Sequence, residues 1–171
     1  MGEVIVVSGP PGSGKSTVAN VLAERYETSA LVDGDAFFAF LRTGFIAPWL
    51  PESDPQNRAV LAAAAAATGR LAEHCTVVYD GVLWPPYVPV FVAHAERPIH
   101  YAVLLPRLEN LLERVRDRVD HPFTDLAAAE HMWHSFAEAS EGLPTIDPVG
   151  SPADVADTIL GLVASGAILR S

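Results

Sequence analysis

The chain has 171 residues, of which 50% are hydrophobic and 19% are charged, and this composition excludes a disordered protein. Eleven basic residues against 21 acidic ones leave a net charge of −10. This charge argues against a nucleic-acid partner, because nucleic-acid binders neutralise phosphates with Lys and Arg. One cysteine, no basic amino-terminal segment and no long apolar run predict a cytoplasmic protein without membrane contact. The length predicts one domain over residues 1–171, as a monomer or a homodimer.

Short apolar runs alternate with helical patterns along the chain. Strands are predicted at residues 4–7, 30–32, 76–79, 99–105 and 145–147. Helices are predicted after the first strand, at 56–74, after Pro106, at 126–140 and after Ser151. This alternation predicts an α/β fold with three layers (α/β/α), in which helices cover both faces of a five-stranded parallel sheet. Ligands of such sheets bind beyond the carboxyl ends of the strands.

A glycine-rich segment follows the first predicted strand and matches the spacing G-x-x-x-x-G-K-[ST]. Its glycines allow backbone N–H groups to surround phosphate oxygens, and the following helix adds the positive end of its dipole. In this pattern the lysine reaches the β- and γ-phosphates and the hydroxyl ligates Mg²⁺. The lysine of the motif is the only lysine in the chain. The pattern predicts a site for ATP and Mg²⁺ formed by Gly9, Pro10, Pro11, Gly12, Ser13, Gly14, Lys15, Ser16 and Thr17.

Three further motifs follow the glycine-rich segment: Asp33-Gly34-Asp35 after the second strand, Asp80-Gly81 after the third, and Arg114-x-x-x-Arg118-x-x-His121 after the fourth. With these motifs the sequence resembles the small-molecule kinases among the P-loop NTPases, such as gluconate kinase, chloramphenicol phosphotransferase and adenylylsulfate kinase. The length argues against an AAA+ module. A Ras-like GTPase is excluded because the guanine-binding N-K-x-D element needs a second lysine.

The resemblance implies a role for each carboxylate. Asp35 is expected to accept the proton of the attacking hydroxyl group, with Asp33 as the second choice and as a substrate contact. Asp80 corresponds to the Walker B acid, which binds Mg²⁺ together with Ser16 or contacts the substrate. Local structural explanations also exist, because Asp is common at helix N-caps and at the ends of strands.

The arginine motif resembles the helix by which gluconate kinases enter a lid. The resemblance implies that Arg118 stabilises the transferring phosphoryl group, that Arg114 lies near adenine, and that a small lid spans about 119–126. The two arginines lie one turn apart on a predicted helix. Alternatively, they form a solvated surface with neighbouring acidic residues, namely Glu109, Glu113 and Asp117.

Residues 37–58 lie where the resembling kinases bind their acceptor. Phe37, Arg42 and Arg58 are the predicted substrate contacts, and the two arginines could hold an anion. The segment is also rich in aromatic side chains, which favours an acceptor with apolar bulk. The predicted function is transfer of the γ-phosphate of ATP to a hydroxyl of a small molecule, such as a sugar acid or an antibiotic.

Two other functions stay open at this stage. In a nucleoside monophosphate kinase, the arginines would hold two nucleotides. In a regulatory ATPase module, nucleotide binding would instead drive a movement of the lid.

Overall fold

The computed structural model describes residues 2–117 and 123–171. Within these ranges no helix combines the length and the apolar character needed to cross a membrane. The strands are β1 (Val4–Ser8), β2 (Ser29–Asp33), β3 (Thr76–Asp80), β4 (Ile99–Leu104), β5 (Thr145–Ile146) and β6 (Leu169–Arg170). The α-helices are α1 (Lys15–Ala23), α2 (Asp35–Phe38), α3 (Asp54–Leu71), α4 (Val88–Ala95), α5 (Leu108–Arg116), α6 (Leu126–Ala139) and α7 (Pro152–Ser165).

The sheet has the strand order β2-β3-β1-β4-β5, and all of these neighbours are parallel. This arrangement confirms the predicted five-stranded parallel sheet. The short β6, which was not predicted, adds an antiparallel pair at the start of β4, where His100 faces Leu169. The central strand β1 is buried along its whole length, which is typical of a strand covered on both faces.

Alternating residues of β1 supply two cores, one on each face of the sheet. Val4 and Val6 pack into a core with helices α3 and α4, whereas Ile5 and Val7 pack into a core with α1 and α7. This period of two is the expected consequence of strand geometry. The three-layer α/β/α architecture is thereby confirmed.

Helix α4 was not predicted; its sequence is apolar and β-branched, and Pro89 stands in its first turn. It packs closely on α3, where a Cβ added at Gly69 would lie 2.2 Å from the carbonyl oxygen of Ala95. The start of α7, in contrast, is as predicted. Ser151 Oγ accepts a hydrogen bond from the N–H of Asp154 at 3.2 Å, and Asp154 Oδ2 accepts one from the N–H of Ser151 at 2.9 Å.

Candidate active site

The glycine-rich loop between β1 and α1 has a compact shape that requires glycine. Gly9 and Gly12 have φ angles of 151° and 89°. A Cβ at Gly9 would lie 2.3 Å from the carbonyl oxygen of Leu104, so a side chain there would collide with backbone. The turn is closed by the N–H of Ser13, which donates to the carbonyl oxygen of Pro10 at 3.1 Å. The loop is therefore built into the end of the sheet.

Helix α1 begins with the lysine of the motif. Lys15 is buried, with 8% of its surface exposed, whereas Ser16 and Thr17 are exposed in the first turn. The first N–H groups of a helix lack partners within the helix and give its start a partial positive charge. Lys15 and Ser16 both line one large cavity. These features fit the binding of a phosphate chain, which carries negative charge and many acceptor oxygens.

The three carboxylates named by the sequence lie at the carboxyl ends of β2 and β3. Asp33 is the neighbour of Asp80 in the sheet. Its Oδ1 accepts hydrogen bonds from the N–H groups of Asp35, at 3.0 Å, and Ala36, at 3.3 Å. Asp33 thus fixes the start of α2, while Asp35 lines the same cavity as Lys15. The two candidates for the general base therefore differ: Asp33 is hydrogen-bonded to backbone, whereas Asp35 faces the cavity.

Asp80, the last residue of β3, is partly buried in an environment that disfavours its charge. Burial raises the pKa of the Asp80 carboxyl, and the negative charges of Asp35 and Asp33 raise it further, whereas hydrogen bonding with Ser16 and the charge of Lys15 lower it. Its buried Oδ1 makes no hydrogen bond within the described part of the chain. A carboxylate oxygen in this state, beside a serine hydroxyl, fits the oxygen ligands that Mg²⁺ prefers.

These two side chains do not form a complete metal site. No group of three or more His, Cys, Asp or Glu side chains that could hold a metal occurs among residues 2–117 and 123–171. Mg²⁺ is commonly bound through one or two protein groups together with phosphate and water oxygens. Asp80 and Ser16 therefore fit a metal that arrives with a nucleotide.

Replacement of Asp80 by Asn is expected to raise the melting temperature at pH 7. Because the folded state raises the pKa of Asp80, this group stabilises the fold below its ordinary value of 3.8, and the contribution is lost as pH rises through the raised pKa. The gain from Asp80→Asn should therefore shrink as pH falls toward 3.8. Thermal melts across this range test the prediction. The exposed Glu52→Gln variant controls for the change in net charge. A melting temperature of Asp80→Asn below that of the wild-type protein at pH 7 would contradict the prediction.

The cavity beyond the glycine-rich loop has a volume of about 770 Å³. Its walls come from the loop, the segment of residues 38–57, the turn at 82–87 and helix α6. Much of the wall is aromatic, with contributions from Phe38, Phe45, Trp49, Trp84, Tyr87 and Phe136. One end of the cavity therefore carries charged groups suited to phosphate, and the remainder suits an apolar body.

Trp49 is held over the cavity by hydrogen bonds from α3 to its own loop. The Gln56 amide accepts from the N–H of Ile46 at 2.8 Å and donates to the carbonyl oxygen of Ile46 at 2.7 Å. Asn57 Nδ2 donates to the carbonyl oxygen of Pro48 at 2.8 Å. The Trp49 ring also contacts Phe123 edge to face, with ring centroids 5.5 Å apart.

None of the five predicted substrate contacts lines the cavity. Asp33 and Asp80 lie at the carboxyl ends of β2 and β3. Phe37 packs against the core that contains α3 and α4, and Arg42 is exposed. Arg58 is paired with Asp54, with Arg58 Nε 2.9 Å from Asp54 Oδ2. Arg118, the predicted lid arginine, and residues 119–122 of the predicted lid lie outside the described residues.

Arg114 lies against the outer side of the glycine-rich loop. Its Nη1 donates to the carbonyl oxygen of Ser13 at 3.5 Å and is 3.6 Å from the position that a Cβ of Gly14 would occupy. Helix α5 is anchored there by the buried Leu111 and Val115. Arg114 therefore lies beside the glycine-rich loop, next to the predicted nucleotide site.

Sequence reasoning missed several residues of the cavity wall, among them Asp54, Asn57, Tyr87, His131 and Met132. One signal was present for the first of these. Asp54 and Arg58 have the i,i+4 spacing of a helical ion pair, which predicts that the arginine is engaged.

The chain is similar to known proteins in sequence and in fold. A family model described as "AAA domain" (AAA_33) matches residues 4–143 of the chain. The chain belongs to this P-loop kinase family. No curated protein sequence matches the chain.

Several solved structures share the fold. A gluconokinase from Sinorhizobium meliloti 1021 has 23% identity and a TM-score of 0.73, and the match covers 96% of this chain and 93% of that one. The tunicamycin resistance protein of Deinococcus radiodurans has 22% identity and a TM-score of 0.70, with 100% and 99% covered. Shikimate kinase from Acinetobacter baumannii, in complex with shikimate, has 21% identity and a TM-score of 0.67, with 97% and 95% covered.

Proposed function

We propose that this protein transfers the γ-phosphoryl group of ATP to a hydroxyl group of a small molecule with apolar bulk. The observation that carries the proposal is the continuity of one cavity. Lys15, Ser16 and Asp35 line its charged end, and aromatic side chains line the rest. Donor and acceptor would therefore meet beside Asp35. We propose that residues 1–171 act as one kinase domain, with a lid at about 119–126.

Each group at the charged end has a part in this reaction. The acceptor oxygen attacks the γ-phosphorus while the bond from that phosphorus to the β–γ bridging oxygen breaks, and ADP leaves with the bond's electrons. Asp35 accepts the proton of the attacking hydroxyl group. Lys15 and the N–H groups at the start of α1 stabilise the charge on the phosphate oxygens, since phosphoryl transfer depends mainly on positioning and electrostatics. We assign Arg118 to the same task.

Ser16 and Asp80 are the residues that would hold Mg²⁺. When bound, this ion neutralises charge on the phosphate oxygens. Thr17 and the loop residues 9–14 would surround the phosphates, and Arg114 would lie beside the nucleotide. The buried Oδ1 of Asp80, which makes no hydrogen bond with any described residue, supports this assignment.

The cavity wall favours this function over the two alternatives. A nucleoside monophosphate acceptor needs cations for its phosphate, yet Arg58 is paired with Asp54 and Arg42 is exposed away from the cavity. A regulatory ATPase needs no second binding space beside its phosphate site. The 770 Å³ cavity is large enough for an acceptor molecule.

The proposal is tested by an acceptor screen in which ADP formation is measured with ATP and Mg²⁺. Uncharged alcohols with aromatic or aliphatic bulk should support turnover, and ³¹P NMR should detect a phosphate monoester. Nucleoside monophosphates should be poor acceptors. ATP hydrolysis that no alcohol accelerates, with only inorganic phosphate as product, would contradict the proposal.

A further inference from the structure

Three side chains at the edge of the cavity form a charge-compensated cluster. Arg58 Nε donates to Asp54 Oδ2 at 2.9 Å, and the hydroxyl of Tyr87 donates to Asp54 Oδ1 at 2.7 Å. The guanidinium carbon of Arg58 lies 5.2 Å from the centre of the Tyr87 ring. Asp54 and Tyr87 line the cavity, whereas Arg58 does not. The arginine that could attract an anion is thus turned to a carboxylate of its own helix.

The remaining charges of the cavity lie at its phosphate end or on α6. Among the lining residues that the structure describes, the basic side chains are Lys15 and His131, and the acidic ones are Asp35 and Asp54. Lys15 and Asp35 belong to the proposed phosphoryl transfer. Around the rest of the space the described lining is mainly aromatic and, apart from His131, supplies no cation to pair with an anionic acceptor. Burial of an unpaired carboxylate or ammonium group is strongly unfavourable.

We propose that Asp54 makes this cavity select uncharged acceptors, because its carboxylate compensates, through the bond from Nε, the charge of Arg58 that would otherwise attract an anion. The proposal deepens the proposed function and rests on it, since it takes the cavity as the acceptor site. Asp54 determines the charge preference of the cavity through its hydrogen bonds with Arg58 and Tyr87. It does not take part in the chemical step.

The same hydrogen bonds work against cationic acceptors. Each carboxylate oxygen of Asp54 already accepts a hydrogen bond, one from Tyr87 and one from Arg58. These two bonds, the one from Tyr87 more than the one from Arg58, lower the pKa of Asp54 because they favour its charged form. A cationic acceptor that approaches this carboxylate would meet the positive charge of Arg58 beside it. An uncharged molecule with apolar bulk meets no such repulsion.

Three probes that share one benzylic hydroxyl group test the selection by charge. They are methyl 4-(hydroxymethyl)benzoate, which is neutral, 4-(hydroxymethyl)benzoate, which is anionic, and 4-(aminomethyl)benzyl alcohol, which is cationic. Binding is measured by tryptophan fluorescence with a non-hydrolysable ATP analogue and Mg²⁺ present, because Trp49 and Trp84 line the cavity. The neutral ester should bind at least ~10-fold more tightly than either charged probe, in line with the cost of an unpaired buried charge. No binding of the ester, or equal or tighter binding of a charged probe, overturns the proposal.

Variants of the pair test the role of Asp54 itself. Asp54→Asn should release Arg58 and tighten binding of the anionic probe at least ~5-fold, with the ester changed less than ~2-fold. The double variant Asp54→Asn, Arg58→Gln should lose this gain. Glu73→Gln removes one of the two carboxylates beside Arg70, whose Nη1 lies 2.7 Å from Glu73 Oε1 near the far end of α3, and should leave all three probes unchanged. A gain that persists in the double variant, or no gain in Asp54→Asn, overturns the role of Asp54.

Arg58→Gln alone gives an independent test if Asp54→Asn fails to fold. Arg58→Gln leaves the Asp54 carboxylate uncompensated at the cavity wall, so binding of the cationic probe should tighten at least ~5-fold. A cationic probe that binds no more tightly than to the wild-type protein would overturn the proposal.

Transfer to the probes separates this inference from the proposed function. If ³¹P NMR detects transfer and the anionic probe is preferred, the charge selection fails and the kinase function stands. If no probe is phosphorylated but the binding order is as expected, the charge selection of the cavity stands and the phosphoryl transfer fails.

Discussion

Lys15→Met is expected to lower the rate of ADP formation by about 10²–10³-fold, the usual cost of removing one group that stabilises transition-state charge. Lys15 is buried at the start of α1 and lines the cavity. Methionine retains an unbranched apolar chain in the same space but carries no charge. The variant should therefore keep the circular dichroism spectrum of the wild-type protein. A coupled assay of ADP formation, with an acceptor from the screen, measures the effect.

Arg25→Met is the matched control for Lys15→Met. It removes a cation just after the carboxyl end of α1. There Arg25 Nη2 lies 2.9 Å from Asp157 Oδ1 at an exposed site. Its rate should stay within about twofold of wild type, because exposed ion pairs contribute little. If Lys15→Met retained wild-type turnover, the phosphate-binding role of the loop would be contradicted.

Asp35→Asn is expected to reduce turnover by about 10²–10⁴-fold, the range found for removal of a general base. The amide has nearly the same shape as the carboxylate but cannot accept the proton of the attacking hydroxyl group. Nucleotide binding should change little, since the glycine-rich loop and Lys15 are intact. Single-turnover measurements of ADP formation and a separate titration with a non-hydrolysable ATP analogue distinguish the two effects.

Asp33→Asn is the companion variant, because it removes the same charge from the neighbouring position. Asp33 Oδ1 accepts the N–H groups of Asp35 and Ala36, and the side-chain oxygen of asparagine can accept the same bonds. Its turnover should stay within a few-fold of wild type. Equal rate losses for Asp33→Asn and Asp35→Asn would contradict the assignment of the base to Asp35.

The layers of the fold could be predicted from sequence because their determinants are local. The strand β1 contains a continuous apolar run, residues 4–7, between the polar Glu3 and Ser8, and such runs indicate strands buried on both faces. The start of α7 has a capping box that acts within four residues. Helix α4 has no such signal. Its helical state depends on packing against α3, which is a long-range effect that propensity does not report.

The candidate site was predictable at its phosphate end and less so at its acceptor end. The spacing of the glycine-rich motif was enough to predict Lys15 and Ser16 as phosphate-end residues, because this motif defines one backbone shape. The acceptor wall depends on which side chains of a long segment face inward. Arg58 was predicted as a contact, yet Asp54 one turn earlier pairs with it. Tyr87 and Met132 come from distant parts of the chain, and no local pattern relates them to the segment.

A crystal structure with a non-hydrolysable ATP analogue and Mg²⁺ tests most directly whether this protein holds a triphosphate beside an acceptor cavity. We predict that the β- and γ-phosphates lie against the N–H groups of residues 12–16 and the ammonium group of Lys15. We also predict that the γ-phosphate faces the cavity beside Asp35. A nucleotide bound elsewhere, or one whose γ-phosphate points away from the cavity, would contradict the proposed function.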